Sequence, residues 1–353
     1  MSSNRPAVIM PDSSVQPPTL LSQSPAAPAV PGFLASRGSH GRLALAGLGI
    51  LATVTVALGA ARVGALPNSV GIQGDSVVIA AAGDLVCGTG TPANIPCQEL
   101  ATADVVRKLK PNALLLLGDL QYEAGSLADF QSYYEAAFGE FKSISYPVPG
   151  NHEYFTPGAA GYFDYFNGVG VDSGRAGHRG RGYYSFNLGA WHIVALNSNC
   201  IEIRNCNGRS AQAAWLRADL ASNKAKCTLA FSHSPRFSSG QHGNDELLRD
   251  LWQIMYDAGV DVVLSGHDHH YERFFRQDAG GRIDEKRGMR AFIVGTGGKG
   301  LARIARPRTN SEVQYNSAIG VLTMVLKADS YSWQFVESIG DPLDEKGEGK
   351  CHD

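Results

Sequence analysis

The sequence predicts an α/β layered domain beginning near residue 75, and three observations carry that expectation. Short apolar runs recur, each ending in glycine or polar residues: VVIAAAGD from Val77, ALLLLGD from Ala113, YPVPGNHE from Tyr146, CTLAFSHSP from Cys227 and VDVVLSGHDHH from Val260. Between several of them lie stretches of helical periodicity. Two later segments, 182–197 and 319–337, alternate as antiparallel strands do. Strand, helix, strand repetition implies a sheet covered by helices, and the alternating segments imply antiparallel additions to it.

In chain order, residues 1–40 are rich in Pro, Ser and Ala with little to bury, the composition of a disordered leader. Residues 41–66 follow as a signal peptide or a transmembrane anchor. Within them, 43–61 is an uncharged stretch preceded by Arg37 and Arg42, near the lower length limit for crossing a bilayer. Cleavage near Val63, Gly64 and Ala65 is favoured by the small residues there, with an uncleaved anchor as the alternative. Either places the remainder in a secreted or extracytoplasmic setting, touching membrane only through 43–61 if that segment is retained. From 75 to 340 the strand runs alternate with predicted helices at 98–108, closed by Pro111, at 127–138, at 210–221, and at 244–256, closed by Gly259. No repeat or linker interrupts this region, so it reads as one domain, with 341–353 as a C-terminal tail.

Bulk properties exclude some partners. The chain has 353 residues, 44% hydrophobic and 18% charged, enough for a sizeable core. Its formal net charge is −2 and it has no long basic run, so no nucleic-acid-binding surface is expected. All six cysteines lie beyond the hydrophobic segment, and none forms a C-x-x-C pattern. Disulfides suit an exported chain. Local pairs Cys87–Cys97 and Cys200–Cys206 would staple loops and leave Cys227 with Cys351, although six cysteines admit many other connectivities.

The ends of the apolar runs carry the chemistry. They finish in Asp84, Asp119, Asn151, His233, and the pair His267 and His269, which project together from a strand end because alternate residues share a face. Separately each is ordinary, a turn, a cap or a structural histidine. Jointly they converge, because open α/β sheets gather ligands at the carboxyl ends of their strands. Two aspartates, an asparagine and three histidines suit metals of intermediate hardness. One carboxylate can bridge two ions roughly 3.5–4 Å apart, the spacing that clamps a phosphoryl displacement.

The ordered blocks GDLVC, GDLQY, GNHE, FSHSP and GHDHHYER over 83–273 resemble those of the calcineurin-like metallophosphoesterases. The resemblance implies a four-layer α-β-β-α sandwich with two central mixed sheets, and a metallophosphoesterase catalytic domain at 75–340. One departure narrows it. Most of the superfamily has D-x-H in the first block, where this chain has Val86. Tyr122, three residues after Asp119, stands in for the missing donor, an exchange similar to that of purple acid phosphatases. The resemblance then implies a first metal held by Asp84, Asp119, Tyr122 and His269, and a second held by Asp119, Asn151, His233 and His267. Hard phenolate and carboxylate oxygens imply Fe(III) in the first position, and the histidine-rich set a divalent Zn, Fe or Mn.

The expected activity is hydrolysis of small-molecule phosphate monoesters by attack of a metal-bound hydroxide; a phosphodiesterase or nucleotidase using the same centre is the alternative. His152, beside Asn151, and His242, following His233 through PRFSSGQ, are the expected proton donors to the leaving group. A metal-holding module without turnover would not require them. Glu153, His270, Tyr271, Glu272 and Arg273 are expected to orient ligands, and segments 154–181, 200–210 and 236–245 to wall the substrate pocket. The run Gly295–Gly300 lacks the spacing of a P-loop and reads as a tight loop at the site rim with Lys299 exposed.

Overall fold

The computed structural model describes residues 76–352. The expected leader at 1–40 and the hydrophobic segment at 41–66 lie outside those residues. The domain runs through β1 (Val77–Ala82), α1 (Glu99–Leu109), β2 (Ala113–Leu116), a helical stretch at 127–138, β3 (Ser145–Pro147) and α2 (Ala160–Asn167). A small hairpin, β4 (Ser173–Gly174) and β5 (Gly177–His178), precedes β6 (Tyr184–Leu188), β7 (Trp191–Ala195), α3 (Ala211–Ser222), β8 (Cys227–Phe231), α4 (Arg249–Asp257) and β9 (Val262–Ser265). The last part is all strand: β10 (Tyr271–Phe274), β11 (Arg290–Val294), β12 (Ser311–Tyr315), β13 (Ala318–Leu326), β14 (Ser330–Gly340) and β15 (Lys346–Lys350).

Two mixed sheets result. The first has the order β15-β14-β13-β1-β2-β3 and the second β12-β10-β11-β9-β8-β7-β6. Strands β1, β2 and β3 are parallel, as are β7, β8, β9 and β11; the others add antiparallel. The sheets pack face to face through Ile79, Leu115, Ile193, Leu229, Leu264 and Phe335, among others. The outer face of the first sheet packs against α1, α2 and the 127–138 stretch through Val106, Phe130, Phe138 and Phe163. The outer face of the second sheet meets α3 and α4 through Leu216, Leu251 and Trp252. This is the expected four-layer α-β-β-α sandwich, and it explains why β1, β2 and β9 are apolar on both sides: each lies between a helix layer and the opposite sheet.

Helix boundaries follow local chemistry. Ser210 and Ser126 accept from Ala213 N and Asp129 N as N-caps, each just ahead of an expected helix. The 127–138 stretch contains a π-type turn at Phe130–Tyr134, and the helix expected from 244 starts as a 3₁₀ turn, Glu246–Leu248, on the Asp245 side chain. The helix α2, in a region expected to be pocket wall, buries Tyr162, Phe163, Tyr165 and Phe166. The stretch expected as a tail carries edge strand β15, paired with β14, and then Cys351, bonded to Cys227. The other disulfides are Cys87–Cys97 and Cys200–Cys206, the local pairs expected from spacing. No helix among the described residues is long and apolar enough to cross a membrane.

Candidate metal centre

Five parallel strands, three from the first sheet and two from the second, deliver their carboxyl ends to one edge of the sandwich. The loops after them cross-link at once. Asp84 N donates to Gly118 O at 3.0 Å, and His233 donates from Nδ1 to Leu117 O at 2.8 Å. Gly118 has φ +82, and a Cβ there would stand 2.6 Å from the His233 ring. A Cβ on Gly150 would stand 2.1 Å from Asp119 Oδ1. The approach of the loops therefore depends on these two glycines. Asp84, Asp119 and His267 hold positive φ of 62, 48 and 72, backbone strain of a kind that concentrates at functional sites.

The sequence-predicted donors come together in two clusters. In the first, the Tyr122 hydroxyl lies 2.9 Å from Asp84 Oδ1, 3.2 Å from Asp119 Oδ2 and 3.2 Å from His269 Nε2, with His269 Nε2 3.3 Å from Asp84 Oδ1. In the second, His233 Nε2 lies 3.0 Å from Asn151 Oδ1, 3.1 Å from His267 Nδ1 and 3.3 Å from Asp119 Oδ2. One oxygen, Asp119 Oδ2, belongs to both. The other, Oδ1, accepts from His152 N at 2.9 Å.

The chemistry of this donor set fits cations. A carbonyl can only accept, so His233 and His269, bonded through Nδ1 to Leu117 O and Gly300 O, present the Nε2 lone pair to the site. With the ring neutral, the Nε2 lone pair faces a carboxylate and an amide oxygen, so either a second proton or a cation must sit between them. Burial disfavours the charged His233 ring, but Asp119 overrides it and draws the pKa up to about 10. Burial and the neighbouring His233 push His267 the other way, to about 4. Asp119 and Asp84 are fully buried, which would raise them, yet His233 and His269 respectively hold them below the ordinary carboxylate range. Burial together with Asp119 and Asp84 lifts the Tyr122 phenol well above its usual value, so its oxygen keeps its proton unless a cation replaces it. Ligand atoms of Asp119, His233 and His267 all lie within 4.8 Å of one another, a grouping able to hold one ion.

Around the clusters, Glu153 is the main support. Its carboxylate accepts from Asp119 N, Leu120 N, Gln121 N and Gly150 N at 3.0, 2.9, 3.3 and 2.7 Å, joining the β2 and β3 loops. Burial and the Asp119 charge raise its pKa to about 7. Glu153→Ala leaves buried N–H groups without an acceptor. It is expected to lower unfolding stability in urea by about 2–4 kcal/mol and to reduce metal content. Glu153→Gln should recover part of both, because one oxygen still accepts.

The two expected proton donors flank the centre. His152 is half-buried, donates from Nδ1 to Glu123 O at 2.5 Å, and has its ring 4.4 Å from that of Tyr122. His242 is exposed, its ring 4.4 Å from that of His267. Sequence reasoning missed what holds His242. Asp268, fully buried between two of the site histidines, accepts from His242 N at 3.1 Å and from the Ser238 hydroxyl. Glu272 holds the same loop through Ser239 N at 2.9 Å. The only signal in the sequence was the uncommon acid within GHDHH.

Two expectations need correction. Lys299 is only 8% exposed: its backbone N donates to Asp84 O at 3.0 Å, so its loop folds over the end of β1. Its ammonium pairs with Glu123 and lies 4.2 Å from the centre of the Tyr122 ring. Tyr271 and Arg273, expected to orient ligands, instead bind Glu345, and Tyr271 packs on Phe335.

With this geometry in view, comparison with known proteins is consistent. Residues 75–271 match the family described as calcineurin-like phosphoesterase. Purple acid phosphatase 18 of Arabidopsis thaliana is 31% identical over 219 residues, 58% of this chain and 48% of that protein; the chain thus spans about half the length of this relative. Among solved structures, purple acid phosphatase PPD1 from yellow lupin (Lupinus luteus) seeds superposes with a TM-score of 0.65 at 17% identity, covering 79% of this chain and 55% of that one. A dimetal phosphatase from Danio rerio gives 0.51 at 14% identity, covering 78% and 99%. Two donor clusters at the strand ends of a four-layer sandwich, and a family match that covers four of the sequence blocks and reaches into the fifth, place this chain in the calcineurin-like phosphoesterase family, with the purple acid phosphatases among its relatives.

Proposed function

We propose that the chain is an exported dinuclear-metal phosphomonoesterase of purple acid phosphatase type, with 75–340 as its catalytic domain. The observation that carries this reading is the single oxygen, Asp119 Oδ2, shared by two donor clusters of different hardness. Asp84, Asp119, Tyr122 and His269 would hold Fe(III), and Asp119, Asn151, His233 and His267 a divalent Zn, Fe or Mn. When bound, such a pair supplies an acidified water and neutralises charge on the phosphoryl oxygens. Three disulfides support the extracytoplasmic setting.

The chain's own residues then handle position and protons. Asp119 is held between the two clusters by His152 N and, through its backbone, by Glu153. His152 keeps its Nδ1 proton on Glu123 O, which leaves Nε2 to carry a proton toward a leaving oxygen. His242, on the loop that Asp268 and Glu272 pin, offers a second donor from the opposite flank.

Metal analysis with a visible spectrum tests the assignment. Two metals per chain, iron among them, and a tyrosinate-to-iron absorption band are expected. In Tyr122→Phe the band should vanish while two metals still bind. A colourless protein with two zinc ions would remove the purple type and leave a phosphoesterase. Turnover of an aryl phosphate against its bis-aryl diester separates monoesterase from diesterase, with the monoester expected to be the better substrate.

A further inference from the structure

The segment KGLARIARPR, 299–308, supplies none of the candidate metal donors, yet it is stitched along the rim of the centre. Lys299 N donates to Asp84 O at 3.0 Å, Ala302 N to His269 O at 2.8 Å, and Ala305 N and Arg306 N to Ser239 O at 2.9 Å each. Arg308 N donates to Ser239 Oγ at 2.9 Å. The loop therefore runs from the backbone of two first-cluster residues to the segment that carries His242.

Three arginines lie on this track, and no acid occurs between 299 and 310. Arg303 and Arg306 are exposed, and among the described residues their side chains make no hydrogen bond or ion pair. Arg308 donates from Nε to Ser238 O at 2.9 Å, and a terminal nitrogen lies 3.4 Å from where a Gly243 Cβ would stand, beside His242. Acids that could neutralise them are already engaged. Glu123 pairs with Lys299, Glu246 pairs with Arg236, Asp245 caps Leu247 N, and buried Asp268 holds His242 N. In a chain of net charge −2, an unneutralised arginine run bordering a phosphate-handling centre is a local anion field, and guanidinium groups match phosphate oxygens in geometry.

Resting on the phosphomonoesterase reading above, we propose that this arginine rim binds non-scissile phosphates. The preferred substrates are small phosphomonoesters or anhydrides that carry at least one further phosphate group. Such a substrate places one phosphoryl group at the metal centre and the others over 303–308. A linear polyphosphate chain and a ring bearing several phosphates share this chemistry.

The test compares the metal-loaded enzyme with Arg303→Gln/Arg306→Gln/Arg308→Gln on an aryl monophosphate, a nucleoside triphosphate and an inositol hexakisphosphate, at several salt concentrations. The wild type is expected to favour at least one multiply phosphorylated substrate, and which one distinguishes chain from ring. The triple variant should lose about tenfold more kcat/KM on that substrate than on the monophosphate, through KM, with a flatter salt dependence. The double variant Arg303→Gln/Arg306→Gln changes only exposed, unbonded side chains, and should show a smaller loss of the same pattern. Equal losses on all substrates, or a wild type without the preference, would overturn the proposal. Hydrolysis of the monophosphate without that preference sinks this inference alone, whereas no hydrolysis of any phosphoester sinks the underlying reading.

Discussion

Asp119→Asn is expected to strip both metals from the protein and to reduce phosphoester turnover by about three orders of magnitude or more. The carboxamide has one oxygen where the carboxylate has two, and the structure dictates where it must go. Asp119 Oδ1 accepts from His152 N at 2.9 Å, so in the variant the amide oxygen takes that place. Its NH₂ group then occupies the shared position between Tyr122, 3.2 Å away, and His233, 3.3 Å away. A donor nitrogen there cannot ligate, and it faces the histidine lone pair as well. Asn151→Ala or His267→Ala should remove only the second ion, and with it nearly all turnover. Elemental analysis per chain beside steady-state rates checks the series. Full occupancy and undiminished rates in Asp119→Asn would contradict a bridging carboxylate.

Cys227→Ser/Cys351→Ser is expected to lower unfolding stability by about 3–5 kcal/mol. The bond spans 124 residues of sequence, against 10 and 6 for the other two, and loop-closure entropy grows with the closed length. It ties the start of β8 to the residue after β15, the edge strand of the other sheet, so it also joins the two sheets. His352 N and Asp261 Oδ1, 2.7 Å apart, retain part of this attachment once the sulfurs are gone. Because the bond lies at the amino end of β8 and the metal centre at its carboxyl end, kcat of the folded fraction should be preserved. Urea unfolding followed by fluorescence, together with rates below the transition, separates the two effects. The corresponding change at Cys200 and Cys206 should cost about half as much on loop length alone.

Much of the centre was legible in the chain because strand ends announce themselves. An apolar run buried on both faces must stop where it reaches solvent, and the residues at that point, Asp84, Asp119, Asn151, His233 and His267, share an edge once the strands are parallel. The aromatic helix α2 and strands β10 to β12 were not legible. They are short, and they are stabilised by packing partners far away in sequence, such as Phe130 against Tyr165 and Phe166.

By itself the sequence determined the α/β layering and the order of the five blocks, because both depend on periodicity and on neighbours within a few residues, and it offered the candidate metal donors and one of several possible disulfide pairings. Only the tertiary structure decided that Asp119 Oδ2 faces both clusters, that Asp268 and Glu272 hold the His242 loop, that Lys299 is buried against Tyr122, and that three arginines border the centre. These depend on contacts between segments far apart in sequence, such as Lys299 with Tyr122, 177 positions apart, and Lys299 with Asp84, 215 positions apart. Such contacts arise when two sheets pack face to face and bring their loops to a common edge, and one strand's residue pattern does not encode its neighbour's position.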